Sequence, residues 1–464
     1  MPSRAQESPV RAGRRAAIWT AAAAVLLLSI AAVTSLVTGC RAPRALRDAL
    51  TSATPHEQYI RGLERAGLAD TALARDWRDT SIAVLTRPTP VTTPFTEELF
   101  VDPVAPRAAA YAITVRRGQR LEIQATLQSD ASARVFVDVF EAGAGGAGTP
   151  RARASAPEGE SRAAFEPDRD GRVIVRVQPE LLRGGRLRVT SRLTATLLFP
   201  VPGVTPAALR SVFGDPRDAG QRRHEGVDIF APRGTPVVAA SEGVVTSAGE
   251  SERGGRVVWL WNAARGQAQY YAHLSEQLVT PGQLVRRGDV IGRVGNTGNA
   301  RTTSPHLHFG VYAGSRALDP APFVRPLPGA AAVPAAASLE RLGAWARMTS
   351  ARAAVRAGPT VDAPELTVLP RNTPVRVAGA LDRWVRVLLP DAGEGFVPLA
   401  SLALSPAPLR RVQVTADTAV RTRPEADAPM RTLIPPAGRL TVLGTFGAHV
   451  LVQTESGERG WARL

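Results

Sequence analysis

Four of the six histidines of this 464-residue chain, His224, His273, His306 and His308, fall in one stretch that ends at Phe309. In His306-Leu307-His308 the spacing aims both imidazoles the same way only on extended backbone, because residues two apart share a face of a strand but not of a helix. Leu307, Phe309 and Val311 then form an apolar face behind, with His306, His308 and Gly310 in front, which predicts a strand with core on one side and a groove on the other. His224 and Asp228 are four apart, but Gly226 between them and Pro232 soon after disfavour a helix. On a strand, His224, Gly226 and Asp228 line one face, and Gly226 adds no side chain between the two ligand arms, leaving room for an ion. By the same alternation Gln269, Tyr271 and His273 share a face, opposite Ala268, Tyr270, Ala272 and Leu274.

Two imidazoles and a carboxylate make a three-donor set suited to zinc, which at a catalytic site keeps its fourth position for water. His224, Asp228 and one of the His306/His308 pair can bind the metal, and two imidazoles are then left to move protons. Each histidine taken singly reads as an ordinary core or surface residue. It is their combination, together with the glycine pattern between them, that marks a site.

The stretch resembles the LytM/lysostaphin-type zinc metallopeptidases, peptidase family M23. The resemblance rests on His224-Glu-Gly-Val-Asp228, the segment Gly234 to Gly243, Tyr271-Ala-His273-Leu, Gly288-Asp-Val-Ile-Gly292, Gly295-Asn-Thr-Gly298 and Ser304-Pro-His306-Leu-His308-Phe. It implies that His224, Asp228 and His308 bind one Zn2+ and that His273 and His306 form the catalytic pair. It further implies a zinc-dependent endopeptidase that hydrolyses peptide cross-links of bacterial peptidoglycan. Two alternatives stand beside that reading, a membrane-anchored scaffold that activates a wall amidase and a general secreted metalloprotease. An intact five-residue set argues against the scaffold, which has no need of a water-activating geometry.

The elements that must carry this stretch are predicted to be mainly β and multidomain. The formal net charge is +16, and all 57 basic residues are arginine. Such uniformity records codon bias in a GC-rich genome rather than selection for a polyanion, so nucleic acid is not expected as a partner. Residues 1–39 read as a lipoprotein signal peptide. Arg4, Arg11, Arg14 and Arg15 precede an apolar run from Ala16 to Thr38 that ends at Val37-Thr-Gly-Cys40, with the chain's single cysteine as lipidation site. The run is long for a cleaved signal, so an uncleaved transmembrane anchor is the alternative. Either way the mature chain is expected outside the cytoplasm, attached to a membrane in the cell envelope, with peptidoglycan and other envelope proteins within reach. In a two-membraned cell, Arg41 in place of an aspartate after the cysteine implies delivery to the outer membrane.

Residues 40–106 read as a tether with one short helix, opened by the capping box Thr54-Pro-His-Glu57, in which His56 is a first-turn surface residue. Residues 107–198 switch to period two, with Tyr111/Ile113/Val115, Val135/Val137/Val139 and Val173/Val175/Val177, and predict an accessory β-sandwich. Residues 200–325 form the antiparallel-sheet metallopeptidase domain with its groove, and 326–338 an Ala/Pro linker. Two repeats follow at 339–405 and 410–464. Val355-Arg356 matches Val420-Arg421, and Gly395-Phe396 matches Gly460-Trp461, at one constant offset. Their length suits small β-barrels, and they resemble bacterial SH3-like domains, with His449 standing where the first copy has Trp384.

Overall fold

The computed structural model describes residues 53–142, 151–404 and 407–464. The signal or anchor expected over 1–39 and the lipidation site Cys40 lie outside these residues. Among the described residues no helix is long and apolar enough to cross a membrane. They divide into two compact units, one of residues 197–325 and one made from 53–196 together with 326–464. The histidine-rich stretch is thus an insertion between two halves of a second unit. The inserted unit's ends are tied together, the Leu197 amide donating to the Phe323 carbonyl at 2.8 Å.

In the unit of 197–325 the main sheet is antiparallel. Its order is Leu209–Ser211, Val227–Phe230, His306–Ala313, Gln267–Leu274, Gly255–Asn262, Gly243–Ser251 and Leu284–Val285, with Arg316–Leu318 turning back onto His306–Ala313. One face is packed on the core through Val227, Ile229, Val258, Leu260, Leu307, Phe309 and Val311. These are the apolar members of the period-two sets, so the alternation that buries them presents His308, Asp228 and their neighbours to the opposite face.

In the second unit the expected sandwich is present, and the alternating sets around Ile113, Val137 and Val175 are its core. The tether reading of 40–106 is corrected. Pro55–Arg65 and Ala72–Ala83 are both helices, and Phe95–Val101 is a strand of the sandwich itself. The capping box forms as read, with Glu57 N donating to Thr54 Oγ1 at 3.2 Å and Thr54 N to Glu57 Oε2 at 2.9 Å. The strand escaped periodicity because its middle residues, Glu97 and Glu98, are both buried.

Phe95–Val101 has a second edge, which pairs with Pro374–Leu381 of the first repeat through Glu97↔Leu381, Glu98↔Ala380 and Leu99↔Gly379. Instead of two separate domains, the sandwich and the first repeat share one continuous sheet. Neither repeat closes into the expected barrel among the described residues. The first opens onto the sandwich, and the second forms a six-stranded sheet of its own. The internal repetition is nonetheless exact in register: Arg356 pairs with Phe396 as Arg421 pairs with Trp461. Arg356 Nη1 donates to Ala363 O at 2.9 Å, and Arg421 Nη1 to Ala428 O at 2.7 Å. His449, opposite Phe446, occupies the position of Trp384, opposite Leu381.

His56 is not at the surface. It is 2% exposed and stacked on Trp77 with ring centroids 4.7 Å apart, and its Nε2–H donates to Gln178 Oε1 at 2.8 Å. Burial, with the Arg176 charge adding to it and Asp138 opposing, pushes its pKa down to about 4. The unfolded chain, with an ordinary histidine near 6.5, therefore binds the proton first as pH falls. The contribution is complete above about pH 6.5 and is lost towards pH 4. Urea titrations followed by tryptophan fluorescence are expected to show this unit roughly 2 kcal/mol less stable at pH 5 than at pH 7.5. His56→Gln removes that difference.

Candidate metal centre and catalytic groove

Asp228 and His308 face each other directly across antiparallel strands. His224 approaches from the loop after Arg222–Arg223, its Nδ1–H donating to the Val212 carbonyl at 2.9 Å. That bond leaves the lone pair of a neutral ring on Nε2. Nε2 lies 2.9 Å from His308 Nδ1 and 3.1 Å from Asp228 Oδ1, and His308 Nδ1 lies 3.0 Å from the same oxygen. The three atoms form a nearly equilateral triangle, the one group of metal-competent donors among the described residues. A proton on His308 Nδ1 can serve one side of it, but His224 Nε2 and the carboxylate still meet lone pair to lone pair. A cation placed between the three donors would relieve that contact. Donors about 2.0–2.1 Å from a tetrahedral zinc lie roughly 3.3 Å apart, so three neutral or anionic N/O donors at this spacing fit that ion with only a slight opening.

The carboxylate is ionised. Burial raises its pKa, but its close contacts with the His224 and His308 rings outweigh burial and hold it far below the usual carboxylate range. Its other oxygen accepts from Arg217 Nη2 at 2.7 Å, and the same nitrogen donates to Ser211 Oγ at 2.6 Å. Arg217 escaped the sequence reading because it sits outside every periodic set. An orienting partner of this kind is expected to be worth roughly 10- to 100-fold in metal affinity, so Arg217→Ala should weaken metal retention by that factor in a competition with a chromogenic chelator.

Gly226 is required for a different reason from the one its spacing suggested. A Cβ there would lie 2.6 Å from His308 Cε1 and Nε2 and 2.6 Å from the Phe309 carbonyl. The space is filled by the His308 ring rather than kept for an ion. Gly226→Ala is accordingly expected to displace the ring and strip the metal, and to cost the unit of residues 197–325 some stability through the clash with the Phe309 carbonyl. Elemental analysis alongside thermal unfolding followed by circular dichroism checks both halves of that outcome.

His273 departs from the face assigned by alternation. Gln269 and Tyr271 are buried in the core, but between Arg256↔Leu274 and Val258↔Tyr271 the pairing slips by a residue, and His273 takes a left-handed φ of 63°. The bulge turns its ring to the groove side, 5.0 Å from the His306 ring and 6.0 Å from that of His308. Its amide donates to Gly254 O at 2.7 Å, and its Nδ1–H to Thr297 O at 2.9 Å. His306 is held in the same way, Nδ1–H donating to Ser304 O at 2.9 Å. Both rings therefore keep a bare Nε2. Burial, reinforced by His306 and His308, pushes the His273 pKa down to about 4, so this ring is neutral at pH 7. Backbone carbonyls fix all three of these tautomers, and they carry no signal in the residue types.

The groove wall beside His273 is built from two loops joined to each other. Asn299 N donates to Arg253 O, and Arg256 N to Thr297 Oγ1, each at 3.0 Å.

This geometry has a counterpart in known proteins: residues 222–320 match the family model of Peptidase family M23, and residues 351–403 that of a Bacterial SH3 domain. The chain carries an M23 peptidase domain. Around it the chain is similar to the L-Ala–D-Glu endopeptidase of Bacillus subtilis, 38% identical over 27% of this chain and 42% of that protein. It is 41% identical to the DD-carboxypeptidase/endopeptidase Mpg of Neisseria meningitidis over 23% of this chain and 24% of that one. To lysostaphin of Staphylococcus staphylolyticus it is 41% identical over 22% of each chain. The chain thus spans less than half the length of these curated relatives, and the shared part is the M23 domain.

Proposed function

We propose that the protein is a zinc endopeptidase of the cell envelope that hydrolyses the peptides of peptidoglycan. The observation that carries this reading is the triangle of His224 Nε2, Asp228 Oδ1 and His308 Nδ1, with two further unprotonated imidazole nitrogens on the same side of the sheet. The M23 match and the peptidase names of its relatives support it. The peptide taken is of the small and acidic kind named for the Bacillus relative, with alanine and glutamate residues.

His224, Asp228 and His308 would hold the ion, and Arg217 fixes the carboxylate between the two rings. A zinc held by these three residues would supply Lewis-acid polarisation of the scissile carbonyl and would bring the pKa of a coordinated water towards about 7. His273 and His306 act at Nε2. One takes the proton of the attacking water at its bare Nε2 and, once charged, donates it to the leaving amine, while the other accepts a hydrogen bond that orients the same water. Thr297 and Ser304 keep these nitrogens bare by occupying the opposite side of each ring. The first bacterial SH3 repeat is the element that holds the polymer, and Cys40 at the end of the apolar leader is the lipid attachment that keeps the protein outside the cytoplasm on a membrane.

The test is to incubate the full chain with purified peptidoglycan and, separately, with a denatured protein. New amino groups and altered muropeptides from the wall alone, abolished by chelator and restored by zinc, are expected. Cleavage of the denatured protein would make it a general protease. No cleavage of either, with an amidase stimulated on addition, would make it a scaffold.

A further inference from the structure

The groove face of the sheet continues past the metal centre into aromatic rings that the reaction does not use. Along His306–Ala313 the outward positions after His308 are Gly310 and Tyr312. Across the next strands Gly310 pairs with Tyr270, and Tyr270 with Trp259. Tyr270 stands edge-on to His308 at 5.9 Å. Trp259 lies 4.4 Å from the Tyr270 ring and 5.2 Å from that of Tyr312. Tyr312 folds back over its own strand, where a Cβ on Gly310 would lie 2.8 Å from Tyr312 Cε2. Trp261, on the same face, is 38% exposed. The three rings are half-buried, the result being a platform that starts beside the metal ligands and runs roughly 13 Å along the strands.

Resting on the endopeptidase reading above, we infer that Trp259, Tyr270 and Tyr312 form a subsite for the sugar of the glycan strand to which the cleaved peptide is attached. An alanine offers one methyl and a glutamate a carboxylate, whereas a pyranose ring presents a flat face of C–H bonds that packs on an aromatic ring while its hydroxyls stay in water. The platform adjoins the ligands on their own face, so a sugar stacked there leaves its stem peptide over the metal centre. The enzyme then prefers peptides still joined to sugar.

The experiment compares disaccharide-bearing cross-linked muropeptides with the same peptides freed of sugar by an amidase. The full chain is used, as wild type, Trp259→Leu and Tyr312→Leu, with kcat and KM measured for turnover and calorimetric titration for binding. Wild type is expected to cleave the sugar-bearing form roughly tenfold more efficiently, through KM. Each variant should erase that preference while keeping its kcat/KM on the sugar-free peptide. Equal efficiency of wild type on both forms, or equal loss on both in the variants, would overturn the subsite. In the first case, or if both losses are equal, the endopeptidase reading stands. Sugar-dependent binding without cleavage overturns the endopeptidase reading and leaves the subsite in place.

Discussion

In His308→Ala, metal content by elemental analysis falls to background and wall hydrolysis falls with it. The same holds for His224→Ala and Asp228→Ala. In His306→Ala and His273→Ala the metal stays near stoichiometric, while turnover drops by roughly a hundred- to ten-thousandfold, the range of general acid–base catalysis. The division follows from where each ring's nitrogens point. His308 Nδ1 is 2.9 Å and 3.0 Å from the other two donors, and removing it leaves an incomplete set that cannot retain the ion. His306 Nδ1 is instead committed to Ser304 O and His273 Nδ1 to Thr297 O, so neither ring belongs to the triangle. A variant of either can lose its proton-transfer group without disturbing the triangle. Metal lost from His306→Ala and kept in His308→Ala would exchange the two roles. Metal kept in all five would remove the site.

Alternation was enough to place His306, His308, Asp228 and the core residues behind them, since a strand with one buried face has only one register that satisfies it. It failed at His273, where a bulge breaks the period, and a bulge depends on pairing with a neighbouring strand that the residue itself does not encode. His56 was misplaced for a related reason. The capping box fixes its helix locally, but Trp77 and Gln178, which bury it, come from distant segments. Arg217 and the carbonyls of Val212, Thr297 and Ser304 act through geometry alone. The joint between sandwich and first repeat was hidden more deeply, because the sequence places the whole inserted M23 domain and an Ala/Pro segment between the two strands that form it.

That joint should respond strongly to a single change. Arg386 of the first repeat is buried and donates to both oxygens of Glu97 in the sandwich, at 2.7 Å and 2.9 Å, and to Glu394 Oε1 at 2.5 Å. Glu97 is fully buried and also accepts from Tyr111 at 2.7 Å, while Arg107 pairs with Glu394 from the sandwich side. In Arg386→Met, Glu394 keeps Arg107, but Glu97 is left as a buried charge with only a hydroxyl to answer it. Removing one partner of such a pair costs about 3–5 kcal/mol, far more than the pair adds over an apolar replacement. Urea unfolding of the full chain should therefore show the transition of the unit containing residues 53–196 and 326–464 shifted by that amount, with metal content unchanged. Glu97→Gln added to Arg386→Met removes the orphaned charge while keeping an acceptor for Tyr111, and should restore a large part of the loss. A single variant within about 1 kcal/mol of wild type would mean that water reaches Glu97 and that the shared sheet is held by its strand pairing instead. The same result bears on truncation. A chain cut at residue 339 loses Arg386 and the strand that covers the outer edge of Phe95–Val101 together, so the repeats cannot be removed as independent binding modules without unsettling the sandwich they complete.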